Sequence, residues 1–271
     1  MSKRLVVGHE KPVLNEDGSL SISAKVVDVT DPTTAQDAAT KAYVDLQNAA
    51  YSSLWFHGSV VTLTISTRNA FTKVTQFVNT GNEDINGNVV GDPTTDDDFT
   101  INLAGVYDLS LQASMTNGGG GPVEFNLGIM VILNTALTIT GATNATPIVI
   151  TSAGHGLKTG DGVVITGVGG NTAAIGDFTI TRLNADSFSL QDLSHTNIAG
   201  NGAYTSGGTV DKIAPGSLIL ERIVSNTQMG RGALAGTYSL SVGDLVEGYA
   251  VNLDGTEDIK FEQIHIAVSL K

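Results

Sequence analysis

The sequence of 271 residues contains no cysteine, and this absence excludes disulfides, thiol nucleophiles and thiolate metal sites together. Aromatic residues make up only 6% and charged residues only 15% of the chain, whereas glycine is abundant, with 32 residues. Short runs of Val, Ile and Leu separated by Gly, Asn, Asp, Ser and Thr are typical of short β-strands joined by tight turns. The composition therefore predicts a mainly β protein that is stabilised by packing or by oligomerisation.

Basic residues are also scarce, because 14 Lys and Arg stand against 27 Asp and Glu, which gives a formal net charge of −13. This charge disfavours binding to phosphate backbones, so we expect no nucleic-acid partner. No apolar run approaches the roughly 18 residues that a membrane-spanning helix needs. The apolar stretch before Gly8 is too short for the core of a signal peptide, so we expect neither membrane insertion nor Sec export.

The first 53 residues change their pattern once. Residues 1–33 contain several turn residues, and apolar and polar residues alternate over residues 20–24. This pattern predicts an extended arm. After Pro32, apolar residues recur four and three positions apart, which predicts a short helix over residues 34–53. An isolated helix of this length is marginal in water, so we expect it to associate with partner helices. The residues predicted to meet along this trimerisation seam are Ala35, Ala39, Ala42, Tyr43, Leu46 and Ala49.

From Leu54 onward the sequence alternates with period two between turn signals, which predicts a β-sandwich of about eight strands. Between residues 136 and 212 the composition shifts towards Thr, Gly, Ala and Asn. We interpret this segment as a module inserted at the tip of a hairpin, where an insertion costs the parent fold least. The predicted organisation is an arm at 1–33, a helix at 34–53, a β-sandwich head at 54–135 and 213–271, and an inserted module at 136–212.

Residues 29–45 include the nearly continuous run QDAATKAYVD at positions 36–45. This run resembles a segment that recurs in bacteriophage head-fibre and tail-fibre proteins. The resemblance implies that the segment joins a virion-proximal region to a trimeric fibre. It assigns the arm to attachment on phage capsid or tail proteins, through Arg4, Leu5, Val6 and Val7.

The predicted head is similar to the tumour-necrosis-factor/complement globular-head jelly roll. The similarity rests on Gly105-Val-Tyr107 at the start of a core strand, on the next strand, Ile129–Asn134, and on an L-x-x-G-D-x-V strand at Leu240–Val246. It implies a jelly-roll β-sandwich that forms a compact homotrimer through the strand faces near a threefold axis.

The predicted insert is similar to a small β-barrel module that phage structural proteins share with the ubiquitin-activating enzymes. The similarity rests on Ile150–Asp161, Gly176–Ile180 and Asp186–Leu190. In phage proteins this module is a spacer or a display unit. The resemblance therefore implies an inserted small β-barrel and carries no enzyme activity to this chain.

Catalytic motifs are missing from the sequence. The five histidines are scattered without metal-ligand spacing, and neither a G-x-S-x-G elbow nor a phosphate-binding loop is present. We interpret His155, in Gly-His-Gly, as a turn residue with a structural hydrogen bond. We predict that the chain is not an enzyme and holds no cofactor.

Acidic clusters at residues 82–88 and 92–98 are rich in the oxygen ligands that calcium prefers, but neither has the spacing of a calcium-binding loop. We interpret them as exposed loop charges. Calcium that stabilises the trimer through these loops is the alternative hypothesis.

These patterns and resemblances predict a structural bacteriophage protein, a homotrimeric capsid decoration or head fibre that is made in the host cytoplasm and displayed on the virion surface. Adhesion to host surface glycans is compatible with this role. The alternative is a short tail fibre that binds the receptor. A soluble lectin-like trimer and a polysaccharide-degrading tailspike enzyme also stay open, because paired carboxylates gain meaning only in three dimensions.

Overall fold

The computed structural model describes residues 13–14, 20–21, 51–81, 87–214, 218–224 and 229–271. The chain divides into two compact units, Met1–Ala49 and Ala50–Lys271. In the first unit, β1 (Val13–Leu14) and β2 (Leu20–Ser21) form an antiparallel pair. The predicted seam from Ala35 to Ala49 and the predicted attachment residues Arg4 to Val7 lie outside the described residues, so both stay predictions.

The second unit is mainly β, as the composition predicted, and its strand pairs are antiparallel. A single 3₁₀ turn, Thr172–Ala174, is present among its described residues. The strands are β3 (Tyr51–Leu63), β4 (Thr72–Lys73), β5 (Asn79–Gly81), β6 (Val89–Asp92), β7 (Asp98–Ile101), β8 (Gly105–Asn117), β9 (Val123–Thr138), β10 (Gly141–Ala142), β11 (Val149–Thr151), β12 (Gly162–Thr166), β13 (Gly176–Arg182), β14 (Ser187–Gln191), β15 (Thr209–Ile213), β16 (Leu218–Val224), β17 (Gly230–Leu240), β18 (Leu245–Asn252) and β19 (Ile259–Leu270).

Two sheets supply the core of the head. The first has the order β17-β8-β19-β3-β5, and the second contains β9, β18, β7 and β6, with β16 paired to β9 and β4 paired to β18. Alternation along each strand gives it one apolar face, so that in β8 Tyr107 and Leu109 are buried while Asp108 is exposed. These side chains belong to the same apolar cluster as Phe99 of β7 and Phe125 of β9. The arrangement is consistent with the predicted β-sandwich.

The stretch Gly105-Val-Tyr107 begins a core strand, as its resemblance to jelly-roll heads implied. Tyr107 is fully buried, and its hydroxyl donates a hydrogen bond of 2.6 Å to the carbonyl oxygen of Leu103. The polar end of this side chain is therefore satisfied inside the core, which is the usual requirement for a buried tyrosine.

The helix predicted over residues 34–53 is wrong in its last three residues, because β3 already begins at Tyr51. Tyr51 is paired with Ser269 of β19, and Ser53 is paired with Ala267. Residues 51–57 alternate between the core and the opposite side of the sheet, with Leu54 fully buried. Pairing with β19 thus fixes a period of two where the sequence pattern had suggested a helical one. Residues 34–50 lie outside the described part of the chain.

The L-x-x-G-D-x-V stretch is also not one strand, because β17 ends at Leu240 and β18 begins at Leu245. A turn between them is held by Asp244, whose side chain accepts a hydrogen bond of 2.8 Å from the backbone N–H of Ser241. Gly243 has φ = 87° in this turn, a left-handed conformation that favours glycine. The motif therefore marks a turn between two core strands.

The insert lies between β9 and β16, which are paired from Val123 with Val224 to Ile129 with Leu218. β9 and β16 are therefore neighbouring antiparallel strands, and the segment 136–212 lies between them along the chain. The insert has its own apolar cluster, which includes the fully buried Phe188. β9 continues to Thr138, beyond the predicted boundary, and there pairs with β15.

The closed small β-barrel that the resemblance implied is not formed. The strands of the insert follow the open order β10-β11-β14-β13-β12-β15, and β15 continues this order into β9 of the head. The physical reason is that the end of β9, which pairs with β15, and β10, which pairs with β11, follow each other along the chain. Between them the chain changes partner, because the N–H of Ile139 donates to the carbonyl oxygen of Gly208, next to β15, and the N–H of Thr140 donates to that of Thr151 in β11.

Within the described ranges, the structure has no helix that is long and apolar enough to cross a membrane.

Candidate functional site

The strands β17, β8, β19 and β3 present a second face on the side away from the core, here called the outer face. Antiparallel register aligns its side chains into three rows across the sheet. The first row is Tyr51, Ser269, Asp108 and Thr237, the second is Ser53, Ala267, Ser110 and Ala235, and the third is Trp55, His265, Gln112 and Ala233.

The middle row contains only alanine and serine, and it runs between a row that contains Tyr51 and a row that contains Trp55. The small side chains leave a shallow depression of about 450 Å³ beside Tyr51. A second depression of about 530 Å³ lies beside Trp55. Aromatic rings beside small side chains form an uneven surface into which the projecting side chains of another protein can fit. Aromatic residues are enriched in such interfaces.

Charge is confined to the edge of the outer face. The middle and third rows contain no Asp, Glu, Lys or Arg, and burial lowers the pKa of His265 below its ordinary value. In the first row, Asp108 accepts a hydrogen bond of 2.7 Å from Thr237 and lies 3.2 Å from Lys271. The hydrogen bond from Thr237, more than the ion pair, lowers the pKa of the Asp108 carboxyl. The centre of the face is therefore neutral on a strongly acidic chain.

A second functional region is the junction where the insert packs on the second sheet. Met130 and Ile132 of β9, Tyr249 and Val251 of β18, and Ile213 of β15 form a separate buried cluster there. Partly buried Val164 and Leu193 of the insert pack against this cluster. The junction therefore contains an apolar contact between insert and head in addition to the strand pairing of β9 with β15.

Lys73 lies at this junction with two buried carboxylates. Its Nζ is 2.6 Å from Glu247 Oε2 and 3.3 Å from Asp98 Oδ2, and the two acidic residues are only 8% and 7% exposed. Burial raises the pKa of both carboxyls, and Lys73 offsets this in part. Burial alone would lower the pKa of Lys73, but its two partners outweigh this and raise it.

Two more acidic residues, Asp97 and Asp177, interact electrostatically with Lys73. Together with Lys73, Asp98 and Glu247 they are here called the Lys73 cluster. Burial raises the pKa of Asp177, in β13 of the insert, to about 7, and the charge of Glu247 contributes to the shift. Burial also raises the pKa of Asp97 to about 6. The Lys73 cluster therefore contains four acidic groups and one lysine. Of the four acidic groups, Asp177 belongs to the insert.

Asp97 and Asp98 correct the interpretation of residues 92–98 as exposed loop charges, because they are 9% and 7% exposed. They are buried since β7 begins at Asp98 and pairs with β18, where Lys73 neutralises part of the charge. Asp92 uses Oδ1 to accept hydrogen bonds from the backbone N–H groups of Thr94 and Thr95. In the part of the chain that the structure describes, no three His, Asp or Glu residues are grouped to hold a metal. Residues 82–86 of the other acidic cluster lie outside that part.

His155 has the structural hydrogen bonds that its position in a turn predicted. Its Nδ1 accepts a hydrogen bond of 3.0 Å from the backbone N–H of Leu157, and its Nε2 is 3.1 Å from the carbonyl oxygen of Asn184. The ring also packs edge-on against Phe188, with the ring centroids 5.1 Å apart. Because the carbonyl can only accept, the contact at Nε2 is a hydrogen bond that the ring N–H donates.

The outer face and the Lys73 cluster were both missed by sequence reasoning. Alternation of Tyr51, Ser53 and Trp55 against Leu54 was the available signal for the outer face. No local signal was available for the Lys73 cluster, because separate strands bring its members together.

No protein-family model matches this chain, and no curated protein matches it. Its function is therefore inferred from its own surfaces and from the sequence resemblances.

Proposed function

We propose that the chain is a structural, non-enzymatic bacteriophage protein, a homotrimeric capsid decoration or head fibre anchored by residues 1–33 and displayed on the virion surface. The observation that carries the proposal is the outer face, where Tyr51 and Trp55 flank a neutral row of small side chains. On a chain with a net charge of −13, a neutral centre with aromatic residues has the composition of a protein interface.

Association through the outer face fits the other sequence features. The predicted seam from Ala35 to Ala49 directly precedes Tyr51 along the chain, so helix association would bring three copies of β3 into proximity. The head resembles jelly rolls that trimerise through strand faces. Neutral, small side chains in the middle row would avoid repulsion between three acidic chains.

The Lys73 cluster supports a structural role more than glycoside hydrolysis. A glycosidase needs two carboxyl groups that reach opposite sides of a bound sugar. Here Glu247 and Asp98 are almost wholly buried, and both contact Lys73. The two ion pairs therefore join β4 to β7 and to β18 within the head.

The interface is tested by placing a charge in the middle row. Ala235→Glu puts a carboxylate on an exposed position of β17. Each chain should therefore stay folded while the trimer dissociates. Val90→Glu is the matched control, because Val90 is an exposed strand residue of the second sheet. Sedimentation velocity should show the first variant as a monomer and the control as a trimer. A trimeric Ala235→Glu variant would exclude this face as the interface.

The position on the particle is tested by imaging phage that lack the protein. Loss of head projections with normal adsorption to cells is expected for a capsid decoration or head fibre. Loss of adsorption with intact heads would favour the short tail fibre instead, and particles that are unchanged in both respects would overturn the proposal.

A further inference from the structure

A cleft of about 590 Å³ lies where the insert meets the head. Asn126 of β9 and Tyr249 of β18 line it from the sheet, Phe71 lines it from the segment before β4, and Asp161 and Ser194 line it from the insert. Its volume lies in the range of small-molecule sites, which commonly form between two packed parts of a protein.

One wall of the cleft is aromatic. The rings of Phe71 and Tyr249 meet edge to face, with centroids 5.0 Å apart and an interplanar angle of 82°. Tyr249 is 2% exposed and belongs to the junction core, so this pair is held in place by packing. Phe71 is partly exposed, so its ring gives an apolar surface on which the C–H groups of a sugar ring can pack, with the buried Tyr249 ring beside it.

Asn126 supplies an amide that is free to serve a ligand. Its Oδ1 is buried and has no hydrogen-bond partner, which is a costly state for a polar atom. Because no described residue holds this amide, a rotation of the side chain towards the cleft breaks no existing hydrogen bond. A ligand hydroxyl that reached the amide would relieve the unsatisfied oxygen.

The charge of the cleft selects a neutral ligand. Asp161 is the only charged residue among the described lining residues, and its Oδ2 already accepts hydrogen bonds from Lys212 Nζ at 2.7 Å and from the Lys158 backbone N–H at 2.9 Å. Burial opposes ionisation of Asp161, but these hydrogen bonds outweigh it and lower the pKa of the carboxyl. No lining cation is left for a phosphate or carboxylate, whereas Asp161 Oδ1 can accept from a hydroxyl.

We propose that this cleft binds one neutral pyranose unit, through packing on the Phe71 ring, which Tyr249 holds in place, and through hydroxyl contacts to Asn126 and Asp161. The inference goes beyond the proposed structural role, since it gives a place and a sugar class to the glycan adhesion that the sequence suggested. It rests on the proposed function only in taking the sugar to be part of a glycan on the surface of the host cell.

The test is ligand-observed saturation-transfer NMR on the full chain with the methyl glycosides of glucose, galactose and mannose, and with glucuronic acid as the anionic comparator. We expect transfer to at least one neutral glycoside and none to glucuronic acid. Asn126→Ala should weaken binding about tenfold, and Ser194→Trp, at an exposed position of the insert, should block the cleft. Asn102→Ala, an exposed asparagine of the head outside the lining, should leave binding unchanged.

Absence of transfer to every neutral glycoside at millimolar concentration would overturn the inference, as would transfer that survives Ser194→Trp. If Asn126→Ala does not fold, Ser194→Trp alone decides, because its side chain is added at the surface. A trimer that decorates particles and binds no sugar would overturn only this inference. A monomer that binds a sugar through this cleft would overturn only the proposed trimeric assembly.

Discussion

Replacing Asp177 with asparagine removes one acidic group from the junction between insert and head. Burial, with a smaller contribution from Glu247, raises the pKa of Asp177 from 3.8 to about 7 in the folded protein. In the unfolded chain the same carboxyl has its ordinary pKa of 3.8, so the folded state holds the proton more tightly than the unfolded state does.

The sign of the effect on stability follows from this difference in pKa. Below pH 3.8 the carboxyl is protonated in both states, so it does not lower the free energy of unfolding. Between pH 3.8 and about 7 the unfolded chain ionises first, so the free energy of unfolding falls as the pH rises, and above about 7 the full cost is present. The two pKa values differ by about three, which at about 1.36 kcal/mol per pH unit sets an upper limit of ~4 kcal/mol.

Asp177 is partly exposed, and solvent therefore screens some of this cost. We expect Asp177→Asn to raise the free energy of unfolding by about 1–3 kcal/mol near pH 8.5 and by almost nothing near pH 4. Urea denaturation followed by circular dichroism across this pH range measures both values.

Asp186→Asn is the matched control for Asp177→Asn. Asp186 is an exposed residue of the same insert, and the asparagine can still accept the hydrogen bond from the Gly154 N–H. It removes the same charge and should change stability little at either pH. Equal gains for the two variants near pH 8.5, or a gain for Asp177→Asn that is as large at pH 4, would refute the reasoning.

Three further substitutions test the core, the ion pairs and a turn by urea denaturation. Phe99→Ala should cost about 3–5 kcal/mol because the ring is fully buried; a cost no larger than that of the exposed Val106→Ala would contradict this. Lys73→Met should cost about 3–5 kcal/mol at pH 7 by leaving two buried carboxylates unpaired, and less at pH 4; a pH-independent cost would argue against it. Gly243→Ala should cost about 1–3 kcal/mol, since φ is 87° and the added Cβ would meet the Asn134 side chain; an unchanged midpoint would count against that geometry.

The strands of the head were predictable because their signal is local. Alternation in Tyr107-Asp-Leu109 reports directly which side chains face the core, and the same holds for Phe178-Thr-Ile180 in the insert. The change of composition between residues 136 and 212 falls on the part of the chain between β9 and β16, which pair with each other.

The errors arose where pairing between distant strands decides the structure. Tyr51 belongs to β3 because β19 pairs with it, although the residues before it follow a helical spacing. Asp97 and Asp98 had the sequence of a surface loop, yet the pairing of β7 with β18 buries them beside Lys73. Neither outcome is encoded within a window of a few residues.

The outer face could be predicted only in part. Alternation in β3 could assign Tyr51, Ser53 and Trp55 to one side of the sheet. Only the register of β17, β8 and β19 aligns Ser53 with Ala267, Ser110 and Ala235 into a row of small side chains. A one-residue change in register would place larger side chains in that row.

The mass of the full-length protein in solution tests the proposed assembly most directly. One chain has a mass of 28.0 kDa, so a homotrimer has a mass of 84 kDa. Size-exclusion chromatography with light scattering should give a single species of 84 kDa at micromolar concentration. A species of 28 kDa under the same conditions would contradict the account.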